Sequence, residues 1–557
     1  MFNAGSRRLQ CRGHIALHRP ELLVYSFIRS GLALESYLNY PIWQLGYPGG
    51  MLIAVIAILH VFVSHFAIGG GAYLVLTESR AYRKNDEGML EYVKRHSQFF
   101  ALLTLVFGAV TGVGIWFTIG LVSPEGTSSL IHTYVWAWAS EWVFFVVEIT
   151  AAILYAKTWA TLDRRTHLTL GWIYFVSAWM SLFIINGIIT YQLTPGTWLK
   201  THAFWDGFFN PTFWPSLFTR TAMSLLLAGV FGYLTLSKES SATRDRLVRW
   251  SSAWLLTGAI LLPACLAWYF AAIPGFSRPY FSGLIAMKHG VRGGVTFASI
   301  LILIALLSLL KPRAMRVPLM TVAVICALGL MGSGEYMREF VRKPWVINGV
   351  IYANDVRAEA IPALEKEGAA AHAKFVAVDA KADDYGRQLF VLECSACHSV
   401  DGYRGMRKRV SGWDADLAKE MLAHIDKMRA PMPQFGGNEA DRVALGKYLA
   451  SLNPPENHGA VTDANRMEIG EHVFKVHCGS CHTVNGNFRP LRGAFADASP
   501  DQVENLFPLL DSMSPNMPHF SASEDDTHAL GAYISQEANK KVTAETPLER
   551  PVGGGIR

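Results

Sequence analysis

At 557 residues, 51% hydrophobic and only 17% charged, the chain is too apolar for an ordinary soluble protein and long enough for a membrane domain plus smaller modules. A net charge of +6 is mild and sits largely in loops between apolar segments, so nucleic acid is excluded as an expected partner. Four of the seven cysteines belong to two short motifs near the end; Cys11, Cys265 and Cys326 remain, which leaves no disulfide framework.

Residues 1–46 carry Arg7, Arg8, Arg12, Arg19 and Arg29, and no apolar run directly follows the basic start, so no cleavable signal is expected. Segment 21–40 reads as an amphipathic helix lying on the membrane. Eight apolar segments then follow, near 49–77, 98–122, 132–157, 168–193, 214–236, 250–272, 283–310 and 317–340. Each meets the roughly 20 residues that a bilayer crossing needs. The expected fold is therefore all-α, a polytopic helix bundle over 47–350.

Basic residues mark alternate loops: Arg80, Arg83, Lys84, Lys94 and Arg95 after the first span, Lys157, Arg164 and Arg165 after the third. Lys238, Arg244, Arg246 and Arg249 follow the fifth, and Lys311, Arg313 and Arg316 the seventh, whereas the intervening loops hold only Lys200 and Arg278. Positive loops stay in the cytoplasm. Even-numbered spans then run outward, and the chain beyond the eighth emerges outside the cell membrane; the N-terminal arginines conflict mildly with this.

Charges inside a bilayer cost several kcal/mol, which makes intramembrane ionisable residues functional candidates. The first span holds His60 and His65, about 140° apart on a helix, so they face different ways. Glu141 and Glu148 share one face of the third span. Arg220 lies in the fifth, and Lys288, His289 and Arg292 in the seventh. The eighth ends with Glu335, Arg338 and Glu339, followed by Arg342, Lys343, Pro344 and Trp345. The plainer alternatives are a His60 bonded to a neighbouring helix and ion pairs of Glu141 or Glu339 with Arg338 or Arg342.

Residues 351–384, rich in Ala, Glu, Lys and Asp, read as a linker or helical stalk. Beyond them stand two copies of Cys-x-x-Cys-His: Cys394, Cys397 and His398, then Cys478, Cys481 and His482. This spacing binds haem covalently, because two thiols add across the vinyl groups and the histidine supplies an axial ligand. The surroundings repeat too. Gly386 to Phe390 corresponds to Gly470 to Phe474, Met428 to Phe435 to Met513 to Phe520, and Ala444-Leu445-Gly446 to Ala529-Leu530-Gly531. Two modules, 385–457 and 458–540, are expected to have a helix before the haem-binding turn, a Met-Pro loop and a closing helix, with a tail at 541–557.

Each module resembles class I cytochrome c. The resemblance implies Met432 and Met517 as second axial ligands, with Met428 and Met513 as the rivals. Such six-coordinate iron suits electron transfer.

The membrane portion, about 45–350, resembles subunit I of the cytochrome bd-type oxygen reductases. The residues that carry this are the His60 segment ending in Gly69-Gly70-Gly71, the helix with Gly108-Ala109-Val110-Thr111-Gly112, the Glu141/Glu148 pair, Asn186-Gly187, and Glu339 to Trp345. It implies two high-spin haems, b or d in type, served by His60 and Glu141 and by Glu339. It further implies Glu148 in proton delivery, Arg342 on haem propionates, and a second multispan subunit. Departures matter. The family's low-spin histidine position on the fifth span reads Phe218-Thr219-Arg220-Thr221, Met287 is a weak stand-in for its partner methionine, and the long quinol loop is reduced to Ile273–Gly283. The expected activity is thus oxygen reduction to water with electrons from a soluble periplasmic cytochrome c, in a bacterial inner membrane. An electron conduit without oxygen chemistry, or reduction of another small ligand such as nitric oxide, are the alternatives.

Overall fold

The computed structural model describes residues 42–43, 45–236, 240–428, 431–453, 459–486 and 488–540. The expected interfacial helix at 21–40, Cys11 and the tail beyond 540 lie outside the described residues. Eight long helices occupy the eight expected regions: Gly49–Lys84, a continuous helical run over Glu87–Val122, Val135–Lys157, Arg164–Tyr191, Phe213–Gly232, Ser241–Ala272, Ile285–Leu310 and Val317–Arg342. Seven of them are long and apolar enough to cross a membrane. The fifth, Phe213–Gly232, is the shortest at 20 residues, and Arg220 with Ser216, Thr219, Thr221 and Ser224 dilutes its apolar character.

Several ends move relative to the sequence reading. The first helix runs on to Lys84, and the second begins at Glu87, where Asp86 caps it by accepting from the Met89 amide. These extensions are polar and amphipathic, so an apolar window stops short of them. A π-helical stretch at Leu103–Gly108 interrupts the second helix just before Thr111 and Gly112. Such segments re-aim the turn that follows, frequently at functional sites.

The first helix is the hub of the bundle, packed against the second, fourth, fifth and eighth. Its glycines permit this. A Cβ on Gly69 would lie 1.9 Å from Ser224 O of the fifth helix, and one on Gly71 2.4 Å from Tyr174 of the fourth. Small residues at membrane helix crossings let backbones approach in this way. Near the Lys84 end, buried Glu78 accepts from Tyr155 Oη at 2.6 Å and pairs with His167 Nδ1 at 2.9 Å, which satisfies a charge that would otherwise be costly.

The segment after the eighth helix is folded from Trp345 onward, and the expected linker or stalk at 351–384 begins inside that fold. Trp345–Ile347 and Ile351–Tyr352 pair as an antiparallel hairpin, with Trp345 stacked on Tyr352 at 4.2 Å. Asn348 bonds back to Gln192 O and Leu193 O. Asp355 accepts from Ser123 Oγ and from the Glu125 and Gly126 amides, at the start of helix Pro124–Thr133. Polar residues that look solvated in sequence are anchors here.

The C-terminal region is two small helical modules, each with its own core. Tyr385–Glu393 and Glu439–Leu452 bracket the first, Arg466–Val473 and Glu524–Asn539 the second. The closing helices are capped by Asn438 and Ser523. Opening and closing helices cross at the same repeated glycine: a Cβ on Gly386 would sit 2.2 Å from Ala444 O, and one on Gly470 2.1 Å from Ala529 O. The sequence repeat is therefore a repeat of packing.

Candidate haem sites

In the modules, each Cys-x-x-Cys-His begins where the opening helix gives out. Cys397 N and His398 N bond back to Cys394 O, and Cys481 N and His482 N bond to Cys478 O, so a single turn brings both sulfurs and the histidine together. His398 Nδ1 donates to Arg404 O at 3.0 Å and His482 Nδ1 donates to Arg489 O at 3.0 Å. This fixes each ring and leaves Nε2 with the lone pair that a metal requires. Burial pushes His398 down to about 4, so its imidazole is neutral at physiological pH. The same burial pushes the Cys478 thiol up to about 12 and the Cys394 thiol well above its ordinary value, which keeps them protonated before haem is attached.

In the second module Cys478, Cys481, His482 and Met517 line one crevice of about 260 Å³, closed by Pro518 and Phe520. That donor set and shape fit a covalently bound haem. Met513, the rival ligand, is 58% exposed and lies outside the lining. In the first module Met428 packs against the core, while Met432 lies half-buried in the loop that precedes Phe435.

The membrane candidates fall into three groups. His60 sits against the second helix: Nδ1 lies 3.1 Å from Thr111 Oγ1, whose own hydrogen goes to Phe107 O at 2.7 Å. His60 Nδ1 is therefore the donor, and Nε2 keeps its lone pair. A Cβ on Gly112 would touch His60 Cε1 at 3.2 Å, so the glycine admits the ring. His65, in contrast, is buried and donates to Val61 O of its own helix at 2.7 Å.

Glu141 and Glu148 both face the fourth helix, as their spacing requires. Glu141 accepts from Ser181 Oγ at 2.7 Å, and Glu148 accepts from Tyr174 Oη at 3.2 Å. Glu141 and His60 are each bonded to a different neighbouring helix. Among the described residues Glu141 has no ion pair, whereas Glu339 has two.

Glu339 pairs with Arg342 at 2.5 Å and with Lys343 at 2.8 Å, and Arg338 pairs with Glu335 at 2.7 Å. Arg342 Nη1 also donates to Gln192 Oε1 at 2.7 Å. Arg342, Arg338 and Arg220 converge with Tyr269 on a cavity of about 20 Å³, room for roughly one water. Arg342 Nε is buried there without a hydrogen-bond partner among the described residues. Three guanidinium groups and an orphaned donor make this a cationic pocket that favours an acceptor, a bound water or the oxygen of an anionic group at its edge. Sequence reasoning gave no role to Ser181 or Tyr174 and used Thr111 and Lys343 only as motif residues, because each acts through a contact with another helix or with the candidate beside it.

Fold and sites together define a multi-pass membrane protein with two c-type haem modules. Residues 51–272 match the family described as Cytochrome bd terminal oxidase subunit I. Residues 381–449 and 465–534 each match Cytochrome C oxidase, cbb3-type, subunit III. The chain is thus a cytochrome bd subunit I-like membrane domain fused to two cytochrome c domains, a haem-containing oxidoreductase of electron transport. Among solved structures it is similar to the bd oxidase from Geobacillus thermodenitrificans, with a TM-score of 0.47 and 15% identity, over 55% of this chain and 90% of that chain. No curated protein matches it.

Proposed function

We propose that the protein is a terminal oxidase of the inner membrane that takes electrons from a soluble periplasmic cytochrome c and reduces oxygen to water, without a quinol site. The observation that carries this is the convergence of Cys478, Cys481, His482 and Met517 on one crevice, in a chain whose membrane domain is of oxygen-reductase type. Bound haems supply one-electron storage in the modules and, at an iron with an open position in the membrane domain, the reduction of oxygen.

The residues divide the remaining work. Cys394, Cys397, Cys478 and Cys481 would tether the two c haems, and His398, His482, Met432 and Met517 would supply their iron ligands. His60, Glu141 and Glu339 would hold two high-spin haems of b or d type, and Arg342 would neutralise propionates. Glu148, hydrogen-bonded to Tyr174, takes up and passes a proton. The connection between the sixth and seventh helices is confined to Ile273–Leu284, which supports the absence of a quinol loop. The basic loops support a periplasmic position for the modules, and a bd subunit II-like partner completes the membrane complex.

The test is a reduced difference spectrum with and without carbon monoxide, alongside haem extraction. A shift in non-covalent haem is the expected result. Covalent haem alone, with no shift, would replace the oxidase by an electron conduit.

A further inference from the structure

Three contacts join the haem-binding turn of the first module to one end of the membrane bundle. The Gly50 amide, at the start of the first helix, donates to Ala396 O between the two cysteines at 3.3 Å. A Cβ on Gly50 would stand 3.3 Å from the same oxygen. Lys343, just past the eighth helix, places Nζ 3.5 Å from Cys397 Sγ and 2.8 Å from Glu339 Oε1. With haem c attached, that sulfur would be one of the two thioethers that tether it. The Arg404 guanidinium lies 5.0 Å over the ring of Phe340, the residue next to Glu339, while Arg404 O orients His398.

The second module rests on the first. Val476 is part of the first module's core, Gly412 approaches Val476 so closely that a Cβ would lie 2.8 Å away, and Leu417 of the first module lines the second module's crevice. The first module therefore stands between the second and the membrane domain.

We propose that the two modules act in a fixed order, the second receiving electrons from outside and the first delivering them, with Lys343 the positioning residue that holds Cys397 against Glu339. This rests on the oxidase reading above. Carboxylate and sulfur are separated by no more than the two contact lengths of 2.8 and 3.5 Å laid end to end. Each transfer moves one electron: the haem on His398 is oxidised as the one beside Glu339 is reduced, and no bond forms or breaks. Lys343 is suited to the task because its compact charge meets an anion on one side and a polarisable sulfur on the other.

The experiment is flash photolysis of carbon monoxide from the partly reduced, full-length protein, following the return of electrons to the c haems. Lys343→Met slows that return roughly tenfold to a hundredfold, as expected for a misplaced donor, and Lys343→Arg restores most of it. Removing the second covalent haem with Cys478→Ala/Cys481→Ala takes away only that haem's share of the signal while the first haem is still reduced, whereas Cys394→Ala/Cys397→Ala abolishes the return to both c haems. A haem-independent readout accompanies these rates: Lys343→Met/Arg404→Ala raises amide exchange over residues 46–52, where Gly50 is bonded. Return of electrons that survives loss of the first module's haem, or wild-type rate and exchange in the Lys343 variants, overturns the order and leaves the oxidase reading intact. A membrane domain in which no haem binds carbon monoxide overturns the oxidase reading and this route with it.

Discussion

Asp355 ties the post-membrane segment to the bundle, and its removal should loosen that joint measurably. Its carboxylate accepts from Ser123 Oγ at 2.6 Å, Glu125 N at 2.7 Å and Gly126 N at 2.9 Å. The two amides belong to the first turn of helix Pro124–Thr133, where backbone donors have no partner within the helix. Burial outweighs these donors and raises the Asp355 pKa above the ordinary carboxylate range, so the full strength of charged hydrogen bonds should not be assigned. Taking about 1 kcal/mol for each bond, plus a penalty for stranding the buried Gly126 amide, Asp355→Ala costs roughly 3–4 kcal/mol locally. At about 1.4 kcal/mol per decade, exchange of amides across 345–358 should quicken by at least about a hundredfold. Hydrogen exchange read by mass spectrometry on the detergent-solubilised protein reports this without assuming two-state unfolding. Asp355→Asn, able to keep part of the acceptor set, should fall between. Exchange within about threefold of wild type in Asp355→Ala would refute the reasoning, since three bonds of ordinary strength cannot vanish so cheaply.

Glu393 provides a pH test: buried and bonded to Asn354 Nδ2 at 2.6 Å, it is pushed by burial from 4.5 up to about 8. The folded module then holds a proton that the unfolded chain releases, so this group's contribution is complete below about pH 4.5 and is lost as pH rises through about 8. The first module's thermal midpoint should fall across that window, and Glu393→Gln should flatten the profile; an unchanged slope would count against a buried acid. Gly386→Val and Gly470→Val should each unfold one module, at a cost of several kcal/mol from backbone collision, and roughly halve covalent haem in a haemochrome assay. Full haem content in either would discredit the close helix crossing. Met517→Ala should lower the second haem's reduction potential and change its spectrum, whereas Met513→Ala, at an exposed position, should do neither. The reverse pattern would move the ligand to Met513.

Much of this protein is written in local sequence. Bilayer-length apolar runs determine eight helices, because a backbone in hydrocarbon must satisfy its hydrogen bonds within the segment. Two Cys-x-x-Cys-His turns determine covalent haem modules, because the chemistry needs three side chains within one turn. Glu141 and Glu148 share a face simply because of their spacing. The polar extensions of the first two helices escape such reading, as does the π-helical stretch before Thr111, since neither alters apolar periodicity.

Tertiary structure alone decided which partner each candidate meets. His60 acquires its donor role from Thr111 on another helix and Glu141 its bond from Ser181 of the fourth, whereas the cations on Glu339 stand three and four residues on and were within reach of local reading. The start of the 351–384 segment looks like a linker or stalk until Asp355 and Asn354 are seen bonded to the membrane domain and the first module. Lys343 stands in a recognisable motif, yet its neighbour Cys397 is remote in sequence and comes within reach only because the first module folds back onto the bundle. Spacing along a chain specifies what one turn can gather; which surfaces then meet depends on packing among distant segments, and no local pattern encodes it.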